Sequence, residues 1–173
     1  MLSSEYIRSI ISCWQTIEIS SLDEAARVVR KKISMGNNIF VVGNGGSSST
    51  ASHFVNDWSK ILKGKVFSLT DNVPMLTALA NDISYDEIFS YQIRNLAMPE
   101  DLLVAISGSG NSENVIRACI EAKKLGMTIV TLTGFDGGKL KSLGSFSFHC
   151  PINDMQIVED LHLSFGHIVV RCQ

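Results

Sequence analysis

The sequence has no two cysteines close enough to act as a pair. Cys13, Cys119, Cys150 and Cys172 are scattered along the chain, which argues against a zinc ribbon or redox dithiol and for a reduced, cytoplasmic protein. No apolar run is long enough to span a bilayer. The N-terminus lacks the basic stretch and long apolar core of a signal peptide. Net charge is only −2, so nothing favours nucleic acid or an anionic membrane as a partner. Charged residues make up 18% of the chain and hydrophobic ones 45%. That balance describes a globular domain and leans towards buried subunit interfaces. There is no repeat of solenoid length and no low-complexity tract. A chain of 173 residues suits one domain, 1–173, with a core of its own.

What is present centres on residues 39–60. Ile39-Phe40-Val41-Val42 reads as a buried strand. It breaks at Gly43-Asn44-Gly45-Gly46, and Ser47-Ser48-Ser49-Thr50 follows at the start of a helix. Glycines allow close backbone approach, helix-start amides lack internal partners, and hydroxyls add donors. The combination is a cradle for an anion, phosphate above all. It is not a Walker A loop, because no Gly-Lys-Ser/Thr follows, and it lacks the third spaced glycine of a dinucleotide fingerprint.

The remaining elements alternate. Two helices are expected over 3–33, the second capped by Ser20 or Ser21. Ile7, Ile10, Ile11, Trp14 and Ile17 form an apolar face on the first, suited to a neighbouring subunit or to the chain's own core. Strands are expected at 39–42, 66–69, 102–106, 127–132 and 146–150. Helices are expected from Pro74 to about Ala80, over 84–97 with Ile88, Phe89, Ile93 and Leu96 inward, over 113–125, near 139–143 and over 154–172. This pattern predicts an α/β fold with a five-stranded parallel sheet covered on both faces. Ligands of such sheets sit outside the carboxyl ends of the strands, at a switch in strand order. A second hydroxyl-rich loop, Ser107-Gly108-Ser109-Gly110-Asn111-Ser112, also leaves such a strand end. With no obligatory cation, it reads as a device for binding a phosphate monoester rather than transferring it.

Ala105 to Ser112 resembles the signature of sugar isomerase (SIS) domains. Gly43-Asn44-Gly45-Gly46-Ser47, His53-Phe54, Ala80-Asn81-Asp82, Thr131-Leu132-Thr133-Gly134, Asp136-Gly137-Gly138, His162 and His167 make the chain similar to the phosphoheptose isomerase group in order and spacing. The resemblance implies a flavodoxin-like three-layer fold and a homotetramer with active sites between subunits, the N-terminal helical segment 1–35 in the interface. It implies interconversion of sedoheptulose 7-phosphate and an aldose phosphate through an enediol, in heptose biosynthesis. By the same resemblance Ser107, Gly108, Ser109 and Ser112 hold phosphate. Asn44, Gly45, Gly46, Ser47, Asp82 and Glu159 contact the sugar or its phosphate.

Aldose–ketose isomerisation needs a base to move a carbon-bound proton and an acid to serve the oxygens. The resemblance assigns these roles to Asp57 and His167. It gives His53, Asp57, Glu159 and His167 as ligands for Zn2+ or another divalent metal. Helical spacing supports this: His53 and Asp57 are one turn apart, and Glu159 and His167 lie eight residues apart on nearly one face. The chain departs from the group in four places. Asp57 stands for Glu, Glu159 for Gln, Gly108 for a common Thr, and Thr50 for a frequent Asp. His162 reads as a packing residue, and His149 carries no signal. A second branch of the group is a non-catalytic adaptor for a replication initiator and has lost the acid at the position of Asp57. Retention of Asp57 and both histidines places the enzyme reading ahead of the adaptor.

Overall fold

The computed structural model describes residues 2–171. Cys172 and the last position of the expected final helix lie outside them. In chain order the elements are α1 (Ser3–Thr16), α2 (Ile19–Ser34), β1 (Asn38–Val42), α3 (Gly46–Ile61), β2 (Lys65–Ser68), α4 (Val73–Asp82), α5 (Ser90–Leu96), β3 (Leu102–Ser107), α6 (Glu113–Lys124), β4 (Thr128–Thr133), β5 (Phe146–His149) and α7 (Met155–Arg171). Short 3-10 turns cover Tyr85–Glu87 and Leu140–Leu143. No helix among the described residues is long and apolar enough to cross a membrane.

All strand pairings are parallel, in the order β2-β1-β3-β4-β5. The chain leaves β1 to one side for β2 and returns on the other for β3. The order therefore switches between β1 and β3, and the two hydroxyl-rich loops leave those very strands. Every residue of β3 is buried, as expected for a central strand covered on both faces. Alternate residues serve two cores. Ile39, Val41, Leu102, Val104 and Ile106 meet the layer of α1, α2, α3 and α7. Phe40, Val42, Leu103 and Ala105 meet α4, α5 and α6. Each fully buried aliphatic side chain contributes about 1.5–3 kcal/mol.

Several local expectations need correction. Neither Ser20 nor Ser21 caps α2; Glu18 precedes the helix, and its carboxylate accepts both hydroxyls at 2.9 Å. Helix α4 continues through Asn81 and Asp82. The single helix expected over 84–97 is a 3-10 turn followed by α5, and Leu96 is exposed. Ile7 and Ile11 of α1 are also exposed, whereas Ile10 and Trp14 pack on the core.

Candidate active site

Helices α3 and α7 lie side by side because α7 carries a glycine where they meet. A Cβ on Gly166 would collide with the Phe54 ring. Trp58 Nε1 donates to the Gly166 carbonyl at 3.0 Å, and Phe54, Trp58 and Phe165 pack their rings beside it. The next residue on α7, His167, is thereby set against His53 on α3. Their Nε2 atoms are 3.1 Å apart. Asp57 Oδ2 lies 3.3 Å from His53 Nε2 and 3.8 Å from His167 Nε2. Asn56 holds the other carboxylate oxygen with a 3.0 Å hydrogen bond. Two imidazole nitrogens and a carboxylate oxygen lie within 4.8 Å of one another, a donor set that suits a divalent ion. The same set can serve as a base beside an acid.

Glu159 does not join this cluster. Its carboxylate lies over Gly46, two helical turns away along the α3–α7 groove, where any Cβ on Gly46 would strike it. Eight residues of helix span about 12 Å, and α7 meets α3 along that whole length. Helical spacing puts Glu159 and His167 on one face but cannot bring them to one point.

The loop after β3 gathers donors suited to an anion. The Ser107 and Ser112 hydroxyls are 3.0 Å apart, and the Ser109 hydroxyl accepts the Asn111 amide. The amides of Ser109, Ser112, Glu113 and Asn114 meet no protein acceptor among the described residues. They stand at the positive end of α6, where a phosphate is favoured. Gly110, at φ 68°, lets the loop lie against Gly137, whose carbonyl fills the space of a Cβ. Gly108 in turn admits the sulfur of Met155. A cavity of ≈ 500 Å³ opens beside Ser109 and Asn111.

The loop after β1 is less free than its glycines suggest. The Ser47 amide donates to Asn44, and those of Ser48 and Ser49 donate to Gly45. Ser47 and Thr50 are buried, and the Ser48 hydroxyl is turned to Thr70 at 2.9 Å. Among the described residues, the amides just ahead of Ser47 and the exposed Ser49 hydroxyl have no protein partner. Asn44, Gly45 and Ser48 instead line a cleft of ≈ 310 Å³ with Thr70 and Tyr85. Asp82 ends α4 on the surface, and among the described residues its carboxylate accepts only from Asn81.

Two residues that hold Asn44 carried no sequence signal. Asn114 is buried and pairs with Asn44, and the Tyr85 hydroxyl reaches the same Asn44 side chain. An asparagine two residues after Ser112 and a lone tyrosine have no pattern that marks them. His162 is a core residue, as expected. Burial pushes its pKa down to about 4, and neither ring nitrogen has a hydrogen-bond partner. His149 is also lowered, first by burial and then by Lys141, while Thr133 bonds its Nδ1 at 3.1 Å.

A parallel α/β sheet with a donor-rich loop at its switch point and an acid–imidazole cluster on the α3–α7 pair has the make-up of a sugar-phosphate-handling domain. The SIS domain family matches residues 5–134. The phosphoheptose isomerase of Aliarcobacter butzleri is 38% identical over 88% of this chain and 82% of its own. The structure of phosphoheptose isomerase GmhA from Neisseria gonorrhoeae superposes with a TM-score of 0.92 at 30% identity, covering 98% of this chain and 95% of that one. A phosphoheptose isomerase from Francisella tularensis gives 0.85 at 26% identity, over 98% and 97%. The chain belongs to the SIS-domain family, within its phosphoheptose isomerase group.

Proposed function

We propose that this protein is an aldose–ketose isomerase that interconverts sedoheptulose 7-phosphate and the corresponding aldose phosphate. The observation that carries the reading is the Asp57–His53–His167 cluster in a fold whose other loop offers free amides and hydroxyls to a phosphate. The relatives' names supply the class of sugar, a phosphorylated heptose. An adaptor has no use for that cluster, so the non-catalytic alternative is not favoured.

Ser107, Ser109 and Ser112, with the α6 amides, bind the phosphate and orient the chain of carbons. The Asp57 carboxylate takes a proton from C1 of the ketose, and His167 gives a proton to the C2 oxygen, leaving a neutral enediol. The O1 proton then passes to His167, and Asp57 returns its proton to C2. One hydrogen has moved from C1 to C2, and both side chains are restored. His53, Asp57 and His167 are the residues that would hold Zn2+ or another divalent ion, which would supply Lewis-acid polarisation. Glu159 faces the substrate's path rather than the ion.

The assembly belongs to the same proposal. The His53 and His167 side chains are 42% and 52% exposed, too open for proton transfer shielded from water. A homotetramer with sites between subunits would cover them. Exposed Ile7 and Ile11 on α1 suit an interface in the N-terminal segment. Free buried Cys13, Cys119 and Cys150 fit a reducing, cytoplasmic setting. The test is turnover of sedoheptulose 7-phosphate, with Asp57→Ala and His167→Ala each abolishing it. Unchanged turnover in either variant would reject the assignment.

A further inference from the structure

Asn44 and Asn114 face each other across the switch point, one in the loop after β1, the other in the first turn of α6. They form a reciprocal amide pair. Asn44 Nδ2 donates to Asn114 Oδ1 at 2.8 Å, and Asn114 Nδ2 donates to Asn44 Oδ1 at 3.0 Å. An amide pair taken alone could be turned over, both oxygens and nitrogens exchanging places. Here it cannot. The Val115 backbone N–H donates to Asn114 Oδ1 at 2.9 Å, and a backbone N–H can never accept. Asn114 Oδ1 is therefore an oxygen, its Nδ2 must be the donor, and Asn44 must answer with its own oxygen. The Tyr85 hydroxyl makes a second bond to that oxygen at 3.0 Å.

The consequence for Asn44 is a fixed polarity. Its oxygen already accepts two hydrogen bonds, which fills both lone pairs. Its nitrogen has spent one hydrogen on Asn114 and has one left. Asn44 lines the ≈ 310 Å³ cleft, so what it can still offer there is an N–H donor. Asn114 itself is only 2% exposed and reaches the cleft through its partner.

We propose that Asn114, assisted by Tyr85, is a positioning residue that fixes Asn44 as a donor to an oxygen of the bound sugar phosphate. This rests on the isomerase reading and adds to it which atom of Asn44 meets the substrate. The same contact ties the β1 loop to the helix whose start forms the phosphate site. An Asn114 backbone amide belongs to that site, and its side chain belongs to the other loop.

The test is a double-mutant cycle in the holoenzyme, read as kcat/KM for sedoheptulose 7-phosphate. Asn44→Ala and Asn114→Ala should each lower kcat/KM by about tenfold or more, the scale of a misplaced binding group. The double variant should be no worse than either single one, because Asn114 acts only through Asn44. Multiplying losses, or an Asn114→Ala enzyme with unchanged kcat/KM, would overturn the proposal. Should Asn114→Ala fold poorly, Tyr85→Phe gives the same test from the protein surface. It should cost several-fold in the parent and nothing in the Asn44→Ala background, and an equal cost in both would again overturn it. Inhibition by inorganic phosphate gives a readout independent of turnover. Its constant should stay within about twofold in Asn114→Ala, since every backbone donor of the phosphate loop remains. Absence of turnover in the parent enzyme would instead count against the isomerase reading.

Discussion

His53 and His167, on helices separated by more than half the chain, meet nitrogen to nitrogen at 3.1 Å. Each neutral imidazole has one N–H and one lone pair, so the two can share a proton or jointly accept a cation. The nearby Asp57 carboxylate adds an oxygen donor for a cation. Protein stripped with a chelator should therefore rebind about one Zn2+ per chain. His53→Ala and His167→Ala should each lose that binding. Glu159→Gln should keep the stoichiometry, since the Glu159 carboxylate sits over Gly46 instead. Equilibrium dialysis with metal analysis reads all three.

Gly166 controls whether the cluster forms at all. Gly166→Ala would push its methyl into the Phe54 ring and force α7 away from α3. Overpacking of this kind costs about 1–3 kcal/mol, and the neighbouring His167 would move with the helix. Thermal melting should show the destabilisation, and turnover should fall by more than the lost folded fraction explains.

The phosphate loop should separate binding from chemistry. Ser109→Ala removes a hydroxyl from the open amide array without touching Asp57 or His167. KM for the sugar phosphate should rise about tenfold, the value of one hydrogen bond to a charged group, while kcat changes little. A loss confined to kcat would place Ser109 elsewhere in the reaction.

Much of this arrangement was readable before any coordinates. The strands announced themselves because a doubly covered parallel sheet needs unbroken apolar runs such as Leu102–Ile106. Both loops followed from glycine and serine at strand ends. What stayed hidden depends on tertiary approach. Tyr85 and Asn114 meet Asn44 from 41 and 70 residues away, distances over which no periodicity runs. The family resemblance gives Glu159 as a fourth ligand, and the helical spacing that supports it fixes a face and not a depth. Leu96 looked inward by pattern, but the 3-10 turn at Tyr85–Glu87 resets the phase of the helix that carries it. Glu18 displaced Ser20 and Ser21 as the residue before α2 because its carboxylate can take both hydroxyls.

His162 makes stability depend on pH. Its folded pKa of about 4 lies below the ordinary value of 6.5, because burial disfavours the charged ring. The unfolded chain binds the proton more tightly, so the native state holds its full advantage above about pH 6.5 and loses it as pH falls towards 4. A shift of that size corresponds to about 3 kcal/mol. His162→Leu removes both unpartnered nitrogens and should flatten the slope between pH 6.5 and 4, measured by denaturant unfolding at each pH. His149, bonded to Thr133 and facing Lys141, contributes a smaller slope of the same sign that should survive the substitution.

The most direct measurement follows deuterium rather than yield. In heavy water the ketose phosphate should acquire solvent deuterium at C1 and the aldose phosphate at C2, as the proton held on Asp57 exchanges with solvent, and Asp57→Asn should stop both exchange and isomerisation. Exchange and turnover that persist at the parent rate in Asp57→Asn, or a parent enzyme that leaves the sugar phosphate unchanged with divalent metal supplied, would contradict the account.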